Sequence, residues 1–150
     1  MPTKRRTGPG RQDQPLHAGS PSQRRGRMAE DAALALMLAA GHRVIQRNFH
    51  CRLGEIDLIT LHGRLLIFTE VRQRSTRGHG SAIDTVTPAK QMRLIATARY
   101  FLACHPQLQS SVMRFDVIAC DGSAADGPLD WLQTAFTLDE TFSCRTRSRN

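Results

Sequence analysis

One stretch, residues 54–72, most constrains the fold of this chain; it reads GEIDLITLHGRLLIFTEVR. Its first half alternates, so Glu55 and Asp57 point to one face of a strand and the apolar residues between them point to the other. Its second half is a nearly unbroken apolar run, which is typical of a strand that is covered on both faces. Because His62-Gly63 separates the two halves, the stretch predicts a β-hairpin.

The predicted hairpin crowds charge on one face. With a two-residue turn at the centre, Asp57 lies opposite Phe68 and Glu55 lies opposite Glu70; a four-residue loop gives the same pairing and a three-residue loop changes it. Like charges directly opposite one another destabilise a sheet by about 0.2–1 kcal/mol. The face that needs a compensating cation carries Glu55, Asp57, Glu70 and Arg72.

A divalent metal is one way to supply that cation. Mg²⁺ prefers oxygen ligands and is usually held by one or two carboxylates together with waters and substrate phosphates. A metal in this position can activate a water and stabilise charge on a phosphodiester. The alternative is an edge hairpin whose carboxylates face solvent and keep the sheet soluble.

The charge balance favours an anionic partner. The chain has 21 basic and 13 acidic residues, a net charge of +8, and only Lys4 and Lys90 are lysines. Arginine binds phosphate in two places at once, so this composition points to nucleic acid. Several of the basic residues lie in residues 1–26, which are rich in Arg, Pro, Gly and Ser and are predicted to be disordered. That extension is either a basic arm on nucleic acid or a segment with no specific role.

Other patterns exclude several classes of protein. No apolar run approaches the ~20 residues of a membrane span, and no apolar segment follows the basic N-terminus as in a secretion signal. The four cysteines have no zinc-binding spacing and are predicted to be reduced thiols. We therefore expect a cytoplasmic protein without a membrane partner.

Two helices flank the predicted strands. The first is predicted from about Arg27 to Ala40, with Glu30 on its inward stripe beside Ala33, Leu34, Met37 and Leu38. The second begins at the N-cap Thr87, has Pro88 at its first position, and continues to about Cys104.

Further strands are predicted at Val44–Phe49 and Arg114–Cys120, and Asp130–Leu138 is either a strand or a short helix. The order α-β-β-β-α-β plus a short C-terminal element predicts an α/β fold with a mixed sheet flanked by helices. Residues 27–140 form the predicted domain, and residues 141–150 are predicted to be a frayed tail.

Basic residues near the carboxylates are candidates for binding the phosphate backbone. Some lie on the predicted polar loop from Gln73 to Ser81. The full set is Arg52, Arg74, Arg77, Lys90 and Arg93.

A run of motifs between Glu30 and Phe136 resembles the YraN family of uncharacterised bacterial proteins. The motifs are Glu30 with Ala33, Gly41, Arg47-Asn48-Phe49, Gly54-Glu55-Ile56-Asp57-Leu58-Ile59, Phe68-Thr69-Glu70-Val71-Arg72, Lys90-Gln91 with Arg93-Leu94, Arg114-Phe115-Asp116, and Trp131 with Ala135-Phe136. That family looks like a branch of the PD-(D/E)xK restriction-endonuclease-like superfamily and is similar to archaeal Holliday-junction resolvases.

The resemblance implies a restriction-endonuclease-like fold and assigns roles to residues. Glu30 corresponds to the helix-one glutamate, Asp57 to the metal-binding aspartate, and Glu70 with position 72 to the E-x-K pair. Position 72 is arginine here, which keeps the charge but cannot transfer a proton. This exchange is either tolerated drift or the mark of an enzyme that has lost activity. Lys90 matches the lysine that the family has on its second helix.

The resemblance therefore predicts a metal-dependent DNA endonuclease, with branched or structured DNA as a candidate substrate. Asp57 and Glu70 would bind Mg²⁺ or Mn²⁺, Glu30 and Arg72 would assist, and Glu55 would support the site. A nucleic-acid-binding module with a degenerate nuclease fold is the alternative, and a protein-interaction scaffold is a third. A homodimer is one option, because junction resolvases cut two strands.

Overall fold

A computed structural model of the protein describes residues 19–74, 82–122 and 127–138. It contains the predicted α/β architecture, a mixed sheet with helices. The helices are α1 (Pro21–Ala39) and α2 (Pro88–Cys104), and the strands are β1 (Arg43–Cys51), β2 (Gly54–His62), β3 (Leu65–Arg74), β4 (Val112–Asp121) and β5 (Leu129–Phe136). Short 3-10 helices cover Ala82–Thr85 and Pro106–Leu108.

The five strands form one sheet in the order β1-β2-β3-β4-β5. Strands β3 and β4 are parallel, and the other neighbouring pairs are antiparallel. The last predicted element is therefore a strand, β5, which pairs with β4. Among the described residues, no helix combines the length and the apolar character that a membrane span requires.

Each face of the sheet is covered by one helix. Leu94, Ile95, Ala98 and Phe101 of α2 pack with apolar residues of one face, while Ala33 and Met37 of α1 pack on the other face with side chains that include Leu58, Ile67 and Ile118. Leu66, Ile67 and Phe68 are all buried, which is the double coverage that their unbroken apolar run predicts.

Helix α1 begins at Pro21, so the predicted start at Arg27 was wrong. The Ser20 side chain accepts a hydrogen bond from the Gln23 backbone, and the Gln23 side chain accepts one from the Ser20 backbone. This capping box, with proline at the first helical position, starts the helix within a polar segment that has few residues to bury. Residues 1–18 of the predicted extension and 139–150 lie outside the described part.

The inward face of α1 also differs from the prediction. Its buried residues are Ala29, Ala33 and Met37, spaced four apart, whereas Leu38 is 49% exposed. A residue directly after Met37 is rotated by about 100° around the helix, so Leu38 faces away from the sheet. Glu30, directly after Ala29, is half-buried at the margin of the packed face.

The predicted register of the β2–β3 hairpin was wrong. The turn is formed by Gly63 and Arg64, so His62 pairs with Leu65 and Phe68 pairs with Ile59 instead of Asp57. Gly63 has a φ of +61°. A two-residue turn of type II′ needs positive φ at its first position, which glycine adopts at the least cost.

Candidate active site

The candidate site lies where β2 and β3 separate. Their pairing ends at Leu58 and Thr69, although β2 begins at Gly54 and β3 continues to Arg74. Beyond that point the Asp57 Oδ2 atom accepts a hydrogen bond of 2.7 Å from the backbone N–H of Val71. A side-chain carboxylate thus takes the place of a backbone carbonyl in the ladder, which locates Asp57 between the two strands.

Glu70 is the most deeply buried carboxylate of the site, at 3% exposure. Its Oε1 atom lies 3.3 Å from Lys90 Nζ on α2 and 3.5 Å from Arg72 Nη1 on its own strand. Its Oε2 atom is buried and has no hydrogen-bond partner within the described structure. Because an unpartnered buried carboxylate oxygen is costly, this atom is available to a cation or a water.

Glu30 approaches from the α1 side of the sheet. Its Oε2 atom is likewise buried, with no hydrogen-bond partner in the part of the chain that is described. Its charge acts on Asp57 and raises the pKa of that carboxyl. The inward position that the helical pattern predicts for Glu30 therefore brings it towards the other carboxylates.

Burial and mutual repulsion disfavour the charged forms of these acids. Burial, followed by the charges of Glu70 and Glu30, raises the pKa of Asp57 to about 7, against the opposing effects of the Val71 N–H and Lys90. Burial also raises the pKa of Glu70, although Lys90 and Arg72 oppose the shift. Lys90 and Arg72 therefore do not offset the effect of burial on the pKa of Glu70.

These residues fit a hard divalent cation in their donor type, because they combine carboxylate oxygens with buried oxygen atoms that have no hydrogen-bond partner among the described residues. Asp57 and Glu70 would supply two protein ligands. No group of three or more His, Cys, Asp or Glu side chains in the described ranges has the geometry to hold a metal. Mg²⁺ is commonly held by one or two carboxylates together with waters and substrate phosphates.

A cleft of about 330 Å³ opens on the α2 side of the sheet. Glu55, predicted to support the site, lines it and lies 3.4 Å from His50 Nδ1, and its charge raises the pKa of Glu70. Lys90 and Arg93 form the wall contributed by α2. The complete lining is His50, Cys51, Gly54, Glu55, Lys90 and Arg93.

A second cleft, of about 560 Å³, lies along the N-terminal half of α1. Its lining includes Glu30 of α1 and, from strand β1, Asn48. Asn48 has a φ of +48°, a conformation that asparagine tolerates better than most residues. The lining is Gly19, Gln23, Gly26, Arg27, Glu30 and Asn48.

The predicted phosphate-binding residues are placed differently from one another. Lys90 and Arg93 line the α2-side cleft, and Arg52 is exposed at the β1–β2 turn. Arg74 is only 15% exposed and its Nε atom lies 2.6 Å from Asp121 Oδ1, so it forms an ion pair on the other side of β3. Arg77 lies outside the described residues.

Sequence reasoning overlooked Arg27 and Asn48 as cleft residues. Arg27 was placed at the start of a helix that in fact begins at Pro21, so its position within α1 was hidden. The signal for Asn48 was present, since an asparagine inside a strand pattern is a candidate for positive φ.

The chain matches the model of the uncharacterised protein family UPF0102 over residues 29–120. It is similar to a UPF0102 protein of Nitrosococcus oceani, at 44% identity over 115 residues that cover 77% of this chain and 93% of the relative. It is also similar to a UPF0102 protein of Cupriavidus necator, at 46% identity over 119 residues that cover 79% and 86% of the two chains. The resemblance to the YraN family is thereby confirmed.

Proposed function

The chain belongs to the uncharacterised protein family UPF0102, and we propose that it is a divalent-metal-dependent endonuclease that acts on DNA. One observation carries the proposal. The buried Glu70 directs one oxygen to Lys90 and Arg72, leaves the other without a hydrogen-bond partner among the described residues, and lies close enough to Asp57 to raise its pKa. Acids with strongly perturbed pKa values and a specific charge partner are candidates for a functional site.

The chemistry of each side chain suggests its role in the proposed site. Asp57 and Glu70 would hold Mg²⁺ or Mn²⁺, and Glu30 would assist from α1. When bound, the ion would activate a water and stabilise charge on the phosphate. The ammonium of Lys90, which lies 3.3 Å from Glu70, would stabilise the charge that develops on the phosphate.

Arg72 would contribute charge alone. Arginine side chains are not deprotonated in proteins, so Arg72 would orient a phosphate without acting as an acid or base. Lys90 on α2 would then take over the part of the lysine that the E-x-K pattern places at position 72.

The surroundings of the carboxylates support a polyanionic substrate. Arg93 lines the α2-side cleft and Arg52 stands exposed at the adjacent turn, while Arg27 lines the other cleft. The net charge of +8 adds long-range attraction for nucleic acid.

A second candidate is a DNA-binding module without chemistry. The observation in its favour is that Lys90 and Arg72 both contact the same oxygen of Glu70, so two protein cations already oppose the rise in its pKa. In that protein the two cations would replace the metal, and the clefts would bind DNA without cutting it.

A cleavage panel tests the proposal. Labelled single strand, duplex, flap and four-way junction are incubated with Mg²⁺, Mn²⁺ or EDTA, using wild type, Asp57→Ala and Arg72→Lys, with Asp31→Ala as a surface control. The nuclease requires cutting that needs metal, is lost in Asp57→Ala and survives in Asp31→Ala. Binding without cutting by wild type and Arg72→Lys would favour the binding module, and cutting by Arg72→Lys alone would identify a nuclease disabled at one residue.

A further inference from the structure

Strand β1 contains a residue whose backbone conformation is unusual for a strand. Asn48 has a φ of +48°. The residues directly before and after it pair with Leu58 and Ile56 of β2, so Asn48 lies opposite Asp57 in the β1–β2 ladder. Residues that lie opposite one another in an antiparallel pair have Cα atoms roughly 4.5–5.5 Å apart. The unusual residue is therefore a direct neighbour of a carboxylate of the candidate site.

The backbone of Asn48 turns the strand from one face of the sheet to the other. Arg47, directly before it, reaches α1 through its ion pair of 2.6 Å with Asp31, whereas Phe49, directly after it, packs edge-on against Phe101 of α2. In a regular strand, two residues separated by one position point to the same face. Glycine adopts positive φ at a lower cost than asparagine does, so this turn does not by itself require a carboxamide.

The side chain of Asn48 belongs to the α1-side cleft, the cleft of about 560 Å³ along the N-terminal half of α1. Asn48 is exposed there, and Arg27 and Glu30 line the same cleft. Gly26, also in the lining, leaves room, because a Cβ atom at that position would face open space. A ligand in this cleft can therefore contact Asn48, directly across the ladder from Asp57.

The chemistry of the α1-side cleft fits a phosphate group. An asparagine side chain has two N–H donors and no charge, and asparagine is among the residues that bind phosphate oxygens in protein–DNA complexes. Arg27 adds positive charge within the cleft, and Arg24 and Arg25 are exposed on the preceding turn of α1. Because the amide is neutral, the carboxylates of Glu30 and Asp57 do not draw it into an ion pair, and its donors stay available to a substrate.

We propose that Asn48 is a substrate-binding residue whose carboxamide donates a hydrogen bond to a backbone phosphate of DNA in the α1-side cleft. The inference rests on the proposed function for its substrate, DNA. It adds a contact on the face of the sheet opposite Lys90, since α1 and α2 cover opposite faces. A phosphate contact holds the backbone in register and does not depend on the base sequence.

Binding in EDTA tests the contact without requiring cleavage. The full chain is titrated at fixed salt into two labelled DNAs of the same length and unrelated sequence, each as a single strand and as a duplex. The variants are Asn48→Gly, which removes the amide, and Asn48→Asp, which replaces it with a carboxylate. Glycine and aspartate both tolerate positive φ, so both variants are compatible with the backbone at this position.

Thr134→Gly is the matched control. Thr134 is the other non-glycine residue with positive φ in the described part of the chain, at +52°. It lies on β5 and lines neither of the two clefts. A glycine therefore makes the same kind of backbone change in both proteins, but only Asn48→Gly removes a side chain from the α1-side cleft.

Asn48→Gly is expected to bind both sequences about tenfold more weakly than wild type, the result of losing a hydrogen bond to a charged group. Asn48→Asp is expected to lose at least as much, because its carboxylate repels the phosphate. Thr134→Gly is expected to bind within about twofold of wild type, and thermal melting is expected to show that all three variants are folded. An Asn48→Gly or Asn48→Asp protein that binds as wild type does overturns the proposal. A loss confined to one sequence overturns the phosphate contact in favour of a contact to a base.

The contact and the nuclease fail separately. Weaker binding by Asn48→Gly in EDTA, with no cleavage in the metal panel, supports the contact and overturns the nuclease. Metal-dependent cleavage by wild type, with equal DNA binding by Asn48→Gly and Thr134→Gly, overturns the contact alone. A wild-type protein that binds none of the DNAs overturns both.

Discussion

The carboxylate of Asp57 accepts a hydrogen bond of 2.7 Å from the backbone N–H of Val71, beyond the point where the pairing of β2 and β3 ends. This bond orients the carboxylate between two strands and satisfies a backbone donor that the ladder no longer reaches. It also favours the charged form of an acid whose surroundings disfavour charge. Asp57 therefore belongs both to the contact between the two strands and to the candidate site.

The first prediction concerns the effect of the raised Asp57 pKa on the stability of the protein. The pKa of Asp57 is about 7 in the folded protein and 3.8 in its unperturbed state. Between these values the folded state keeps a proton that the unfolded state releases, so the stability of the protein falls as the pH rises. Below pH 3.8 this contribution vanishes, and above pH 7 the penalty is complete.

Asp57→Asn keeps an oxygen for the Val71 N–H and removes the charge. In EDTA it is expected to stabilise the protein by roughly 2–4 kcal/mol at pH 8, with the gain shrinking towards pH 4. Urea denaturation across that range measures the difference. Asp31→Asn, on the exposed part of α1, is the control and is expected to change stability by less than about 1 kcal/mol. A gain in stability that does not depend on pH would show that the charge of Asp57 is not its cause.

The second prediction separates the two basic residues of the α2-side cleft. Lys90 contacts Glu70, whereas Arg93 lines the cleft and forms no ion pair with a site carboxylate in the described part of the chain. For the nuclease, Lys90→Ala is expected to lower kcat about 100-fold or more, the usual cost of losing a group that stabilises the transition state. Arg93→Ala is expected to raise KM with kcat within about threefold. Steady-state cleavage of the preferred DNA measures both, and equal effects on kcat would contradict the distinction.

The third prediction tests how the tip of the β1–β2 hairpin, residues 51–54, is held on α2. Gly54 has a φ of +153°, and an added Cβ would lie 2.9 Å from Thr97 Oγ1. Gly54→Ala is expected to destabilise the protein by about 1–3 kcal/mol, since it combines backbone strain with a close contact. Gly26→Ala, in α1 with nothing within 4 Å of the added atom, is expected to stabilise it by about 0.5–1 kcal/mol. Urea denaturation compares the two, and a Gly54→Ala protein as stable as wild type would show that the tip is not tightly packed.

The predicted elements whose signals were local agree with the structure. The second helix spans Pro88–Cys104 as expected, because Thr87 caps its first turn and Pro88 suits its first position. The apolar run of β3 predicted its double burial for a similar reason. The start of α1 was missed because the capping box of Ser20 and Gln23 lies in a polar, arginine-rich segment.

The parts of the site that depend on long-range geometry were not predictable from pattern. A turn at Gly63-Arg64, one residue later than expected, changed every pairing of the hairpin, yet Asp57 and Glu70 still interact electrostatically. The contact between Lys90 and Glu70 joins α2 to β3, and no spacing rule relates residues so far apart in the chain. The ion pair of Arg74 with Asp121 likewise required the parallel pairing of β3 with β4.

The last prediction concerns Asp116, a buried carboxylate that accepts hydrogen bonds from the edge strand β5. Asp116, at 1% exposure, accepts two hydrogen bonds of 2.8 Å from Arg114, one of 2.9 Å from Trp131 Nε1 and one of 3.0 Å from the Thr134 N–H. Asp116→Ala would remove the buried acceptor of the Arg114 guanidinium and of two further donors. We expect it to cost about 3–5 kcal/mol, the usual result of removing one partner of a buried ion pair.

The matched comparison is the exposed ion pair on the other edge of the sheet. Arg47 and Asp31 lie 2.6 Å apart, but the Asp31 side chain is 64% exposed, so Asp31→Ala is expected to cost less than about 1 kcal/mol. The free energy of unfolding in urea, measured near neutral pH, gives both values. Because Trp131 loses its hydrogen bond in Asp116→Ala, its fluorescence before unfolding should also shift, while Asp31→Ala leaves it unchanged. Equal costs for the two substitutions would mean that Asp116 contributes to β5 no more than a surface carboxylate does.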